Sequence, residues 1–146
     1  MNDRTIAAAI ATRLGATTAP TGQETIKVAT ADFPDSLSLF PTLIVGVSRM
    51  AGGTHTSGQL TLPMEFDAAL YLSKADGSPR RSQAVRDWIT ALYARIAGQF
   101  QLGLSSYVTV AMVTAWTPGA SYVGEAYDGV TFTISVGVKE AVTTAP

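Results

Sequence analysis

The sequence predicts an α+β fold: a mainly antiparallel β-sheet with a long strand or hairpin, flanked by an N-terminal helix and one longer amphipathic helix. Three observations predict it. Leu60, Leu62, Met64, Phe66, Ala68, Leu70 and Leu72 occupy every second position. A period of two sustained that far is one strand with a single apolar face. Val130, Phe132, Ile134, Val136 and Val138 repeat the pattern near the C-terminus. Between them, Val85, Trp88, Ile89, Leu92, Tyr93 and Ile96 recur at three- and four-residue spacing, which marks a helix with one apolar side. An order of helix, strands, helix, strands places the helices on one face of an antiparallel sheet.

Each element has its own local reason. Asn2 or Asp3 can cap a first helix whose stripe is Ile6, Ala9, Ile10 and Leu14, with Gly15 as its stop. Its alanines make it narrow enough to pack closely on a sheet. Residues 16–22 form a Thr/Pro/Gly turn region, and residues 26–29 a short strand. Pro34 and Asp35 set a turn before Leu37, Leu39 and Phe40. Leu43 to Val47 is a continuous apolar run, which suits a strand covered on both faces. Residues 48–58, with Gly52, Gly53, Thr54, Thr56 and Ser57, read as a loop or hairpin tip.

Pro63 cannot donate to a ladder, so the start of the long strand is expected to be an edge or to lie outside the parent sheet. Ser78 as cap and Pro79 at the first position open the long helix, and Gly98 ends it. Residues 107–116 form a strand with Val108, Val110 and Met112 on one face. Residues 118–128 read as a loop, and Asp128-Gly129 turns into the last strand. Residues 140–146 are expected to be a mobile tail. Residues 1–146 form one domain, a length that can bury a self-sufficient core.

Composition narrows the function classes. Charged residues make up 14% of the chain and hydrophobic ones 47%, against a charged average of about 25%. So few charges suit a subunit that hides part of its surface in an assembly. The net charge is −1, with no run of either sign, whereas tight nucleic-acid binding needs a clustered basic face. The absence of cysteine excludes disulfides, thiolate metal sites and Cys nucleophiles. Residues 1–15 lack a basic region followed by an apolar core and cleavage site, so they are not expected to be a secretory leader. No apolar run approaches the roughly 20 residues of a membrane span. A chain of this kind is expected to fold in a cytoplasm and to stay off the membrane.

Candidate chemistry is sparse. His55 is the sole histidine and has no His, Asp or Glu at ligand spacing, so it reads as a solvated loop residue. Glu65 and Asp67, two apart on the polar face of the long strand, point the same way. Paired carboxylates can act on glycosides or hold metals, but charges on a solvated strand face also discourage edge aggregation. They could also meet Arg80, Arg81 or Arg86 of a neighbouring copy. Arg80 and Arg81 open a helix, where the dipole favours an acidic partner nearby. No phosphate-cradling or dinucleotide glycine motif occurs, and Trp88 and Trp116 suit core or interface anchors. Neither a catalytic residue, a cofactor site nor a metal site is assigned.

Taken together, these stretches resemble the tail terminator (tail completion) proteins of long-tailed bacteriophages. The resemblance is carried by Phe40-Pro41-Thr42-Leu43-Ile44-Val45 after an N-terminal helix and by the long strand through Phe66-Asp67-Ala68-Ala69-Leu70-Tyr71-Leu72. It is carried further by the helix with Trp88-Ile89 and Leu92-Tyr93, and by Tyr122-Val123-Gly124-Glu125-Ala126-Tyr127-Asp128-Gly129-Val130 leading into the final strand. It spans nearly the whole chain in arrangement rather than through any one diagnostic motif.

The resemblance implies a structural virion protein, not an enzyme, in the neck of the tail and in the host cytoplasm during assembly. It implies a homo-hexameric ring capping the head-proximal end of the tail tube, with tail tube protein and a head-closure or connector protein as partners. Double-stranded DNA would only pass through the lumen. Candidate assembly contacts are Met50, His55, Glu65, Asp67, Arg80 and Arg81. Another ring-forming neck protein is the alternative within the class. A small enzyme or ligand-binding domain using residues 48–58, Glu65 and Asp67 is the alternative outside it.

Overall fold

A computed structural model describes residues 3–50, 54–56, 59–74, 79–97 and 108–141. In chain order these form α1 (Asp3–Gly15), β1 (Val28–Thr30), β2 (Thr42–Met50), β3 (Thr54–Thr56), β4 (Gln59–Lys74), α2 (Pro79–Ala97), β5 (Val108–Tyr122) and β6 (Glu125–Ala141). The strands make one sheet in the order β1-β2-β4-β6-β5, with β3 pairing β4 beyond the end of β2. Only β1 and β2 run parallel; every other pairing is antiparallel. The fold is α+β, with an N-terminal helix and a longer second helix.

Both helices lie on one face. The alternation of β4 sends Met64, Phe66, Ala68, Leu70 and Leu72 inward, and β6 sends Val130, Phe132, Ile134 and Val136 to meet them. Antiparallel register makes them direct neighbours: Phe66 faces Ile134, Ala68 faces Phe132 and Leu70 faces Val130. From above, α1 contributes Ile6, Ala7, Ile10, Ala11 and Leu14, and α2 contributes Ala84, Val85, Trp88, Leu92 and Ile96. The α1 stripe thus uses Ala7 and Ala11, with Ala9 less buried than either. Gly15 packs so closely on β1 that an added Cβ would lie 2.6 Å from the Ala29 Cβ.

The continuous apolar run in β2 has the predicted cause. Leu43 and Val45 join the helix-side core, while Ile44 joins a smaller cluster on the outer face with Tyr71, Ala120 and Tyr127. A parallel β1–β2 pair requires a crossover, and residues 31–41 supply it across the outer face. Phe33 lies over Gly46, where an added Cβ would come within 2.7 Å of the Phe33 Cζ. Phe40 and Leu37 pack on the tyrosine cluster. The strap is tied down by Arg4 to Asp32 at 2.8 Å and by the Tyr122 hydroxyl donating to the Pro34 carbonyl.

Several expectations are corrected. Residues 118–128 are not a loop: β5 runs on to Tyr122 and β6 starts at Glu125, leaving Val123-Gly124 as a two-residue turn. Pro118 is tolerated because β5 is the sheet edge and three irregularities already bend it. Those irregularities also turn Met112 outward, 52% exposed, while Ala111, Val113 and Trp116 face the core. Of the loop or hairpin tip expected over residues 48–58, the hairpin is the better description, since β2 reaches Met50 and residues 54–56 are a strand paired antiparallel with β4.

Glu140 and Ala141 belong to β6, opposite Leu60 and Gln59, and not to a tail; residues 142–146 lie outside the described residues. Pro63 is inside the sheet, paired with Gly137 on one side. On its other side it falls between the stretches of β4 that pair β2 and β3, where its missing N–H costs least. The proposed cap Ser78 and stop Gly98 lie outside the described residues, as does Tyr107.

Candidate functional site

Strand alternation that buries Phe66 and Ala68 must turn Glu65 and Asp67 to the outer face. The structure places them there side by side, Glu65 half-buried and Asp67 exposed. Asp67 accepts a 3.4 Å hydrogen bond from the Thr133 hydroxyl on β6. Ser135 is the β6 neighbour of Glu65, and Arg49 its β2 neighbour. The nearest neighbours on this face are small and neutral: Ala69, Thr131, Thr133, Ser135 and Ala115. A shallow cavity of about 270 Å³ lies here under Phe33, walled by Ile44, Gly46, Asp67, Ala69 and Tyr71.

The other candidates are apart from this pair. Met50 ends β2 opposite Met64, and His55 sits in β3 opposite Leu60. Arg80 and Arg81 belong to the first turn of α2, which packs on the opposite face of the sheet. The side chains of these four lie outside the description. Chain topology therefore separates the acidic pair from the helix arginines by the thickness of the sheet. Among the described residues, no group of three His, Cys, Asp or Glu could hold a metal, and no helix is long and apolar enough to cross a membrane.

Two features were missed by sequence reasoning. The first is the tip of the β5–β6 hairpin. Val123 and Gly124 have φ of 50° and 80°, the paired positive values of a type I′ turn. A β-branched residue rarely adopts that conformation, and Val123 is 76% exposed. Behind it, three tyrosines brace the hairpin. The Tyr71 hydroxyl donates to the Ser121 carbonyl at 3.1 Å, and the Tyr127 hydroxyl to a Glu125 carboxylate oxygen at 3.2 Å. The Tyr71 ring meets those of Tyr122 and Tyr127 edge-on at 5.7 and 5.4 Å. Burial, with the neighbouring Tyr122 and Tyr127, pushes the Tyr71 hydroxyl above the ordinary tyrosine range.

The second is a pocket of about 260 Å³ on the helix side, between α2 and the bend of β5–β6. Val85, Ile89, Pro118, Gly119 and Gly129 form its apolar wall, with Arg86 and Asp128 at its edges. Neither feature had a local signal. Val-Gly is not a standard hairpin dipeptide, and the tyrosines meet only through long-range register.

No protein-family model matches the chain, and no curated protein matches it.

Proposed function

We propose that the protein is the terminator of a long bacteriophage tail, a hexameric ring that caps the head-proximal end of the tail tube. The observation that carries this reading is the far end of the sheet. The rungs Gln59 to Ala141, Leu60 to Glu140 and Thr61 to Lys139 lie beyond the last rung of β2, Met50 to Met64, and of β5, Val108 to Val138. Among the described residues, β3, β4 and β6 thus form a three-stranded ribbon that runs beyond the described ends of β2 and β5. Such a ribbon suits contact with a neighbouring subunit or with the tube.

The surface chemistry supports the same reading. Helices cover one face only; on the other, residues 31–41 and the tyrosine cluster cover one part, and the part around Asp67 carries small hydroxyl and alanine side chains. An acidic pair on one face and helix arginines on the other suit heterologous, head-to-tail contacts, which close into rings. A near-neutral subunit suits a lumen through which DNA passes without being held. The mechanism is steric and adhesive. The ring docks on the tube with one surface, lacks the tube's own elongation surface on the other, and there offers a seat for a head-closure or connector protein.

The test is tube assembly. Tail-tube protein polymerised with this protein present is expected to give tubes that stop growing, with an added annulus at one end. Tubes of unchanged length with bare ends would count against a terminator and favour another station in the neck.

A further inference from the structure

We infer that the β5–β6 hairpin tip is an assembly knob: Val123 seats in the apolar pocket beside α2 on a second copy of this chain, an inference that rests on the ring reading above. The tip is strained in a way its own subunit does not repay. Val123 holds φ at 50°, a conformation that asparagine or glycine would adopt with less strain. Since its side chain is 76% exposed, no internal packing explains a valine there. Strain held at an exposed position is a pointer to function.

The knob is also preorganised. The rungs Tyr122 to Glu125, Ser121 to Ala126 and Ala120 to Tyr127, with the hydroxyl of Tyr71 on the Ser121 carbonyl, fix its direction before any partner arrives. Those rungs hold Val123 roughly 13 Å of hairpin away from Gly119 and Asp128 on the wall of its own pocket. The pocket is open toward the helix side and lined by Val85, Ile89, Pro118, Gly119 and Gly129, so it can admit an aliphatic side chain.

Charge favours a second copy as the occupant. The tip is flanked by Asp35 and Glu125, which line the cleft beside Val123. The pocket borders α2, a helix with four arginines and the single acid Asp87, and of these Arg86 lines the pocket itself. Arg86 is exposed, and the half-buried Asp128 also lines the pocket. Knob and pocket are different patches of one subunit, so each copy offers both. The contact repeats head to tail and can close a ring.

Val123→Asn separates this role from folding, because relief of strain should make the variant subunit at least as stable to heat as the parent. The inference predicts that rings of Val123→Asn need about tenfold or more protein to form. Equal ring formation by parent and variant would overturn the knob while leaving the ring reading intact. A parent that forms no ring, alone or on tail tubes, would overturn both. The chain has no cysteine, which permits a second measurement. Mixed Val123→Cys and Ile89→Cys variants are expected to give a disulfide-linked dimer on oxidation. A mixture of Val123→Cys with Thr114→Cys, an exposed outer-face position, should not. Equal yields from the two mixtures would overturn the inference.

Discussion

An added methyl group at Gly129 would lie 1.9 Å from the Leu70 carbonyl oxygen, a backbone atom that cannot swing aside. Gly129→Ala is therefore expected to lower stability by about 2–3 kcal/mol, read from the urea midpoint; an unchanged midpoint would contradict the close pass of β6 over β4. At Val123 the sign reverses. Replacing it with asparagine should stabilise the subunit by about 1 kcal/mol, a rise in Tm of roughly 3 °C by calorimetry.

Tyr71 adds a pH dependence. Below pH of about 10 its hydroxyl keeps its proton in both the folded and unfolded chain. Above that, the unfolded chain releases the proton while burial makes the folded protein retain it, so stability falls as pH rises. Tyr71→Phe should remove this alkaline component and, by losing the hydrogen bond to Ser121, cost about 1 kcal/mol at neutral pH. An identical alkaline slope in the variant would assign the effect elsewhere. At this scale the sequence suggested that Asp128-Gly129 turns the chain, whereas both residues lie inside β6, and the reason for the glycine is a neighbour some sixty residues away.

Elements with one apolar face were the most legible, because burial and periodicity have the same cause there. The β4 and β6 alternations bury the predicted residues from Met64 to Leu72 and from Val130 to Val136, while the side chains of Leu60, Leu62 and Val138 lie outside the description. The α2 stripe is correct except at Tyr93, which is 55% exposed. Trp88 is the centre of that stripe, fully buried, with no hydrogen-bond partner for its Nε1 among the described residues. Trp88→Ala is expected to cost about 3–5 kcal/mol. Trp88→Phe should cost far less, since no indole hydrogen bond is lost; equal losses in thermal unfolding would contradict that account.

The β5–β6 hairpin was hidden for physical reasons. Pro118 and Gly119 look like loop residues, yet an edge strand with bulges accepts both, and the turn lacks the usual Asn-Gly. The parallel β1–β2 pair was hidden too, because nothing local says that residues 31–41 cross a sheet face rather than end in a turn. Of the candidate site, the facing of Glu65 and Asp67 was readable from alternation alone. The tyrosine brace and the pocket beside α2 were not, since both are made by register.

At the scale of the whole molecule, the described residues of an α+β subunit with two helices on one face leave the part of the other face around Asp67, the β3-β4-β6 ribbon and a strained tip open to a partner. The ring reading uses all three. If Glu65 and Asp67 contact a neighbouring copy, the double variant Glu65→Lys, Asp67→Lys should keep its circular dichroism spectrum and lose ring mass. Unchanged ring mass would remove those carboxylates from the interface. The measurement that bears most directly on the central claim is the solution mass of the purified protein by light scattering. It should be made alone and with tail tubes, alongside negative-stain images. A hexamer with annular projections, or a monomer that becomes a ring at tube ends, is the predicted result; a monomer that ignores the tubes would contradict it.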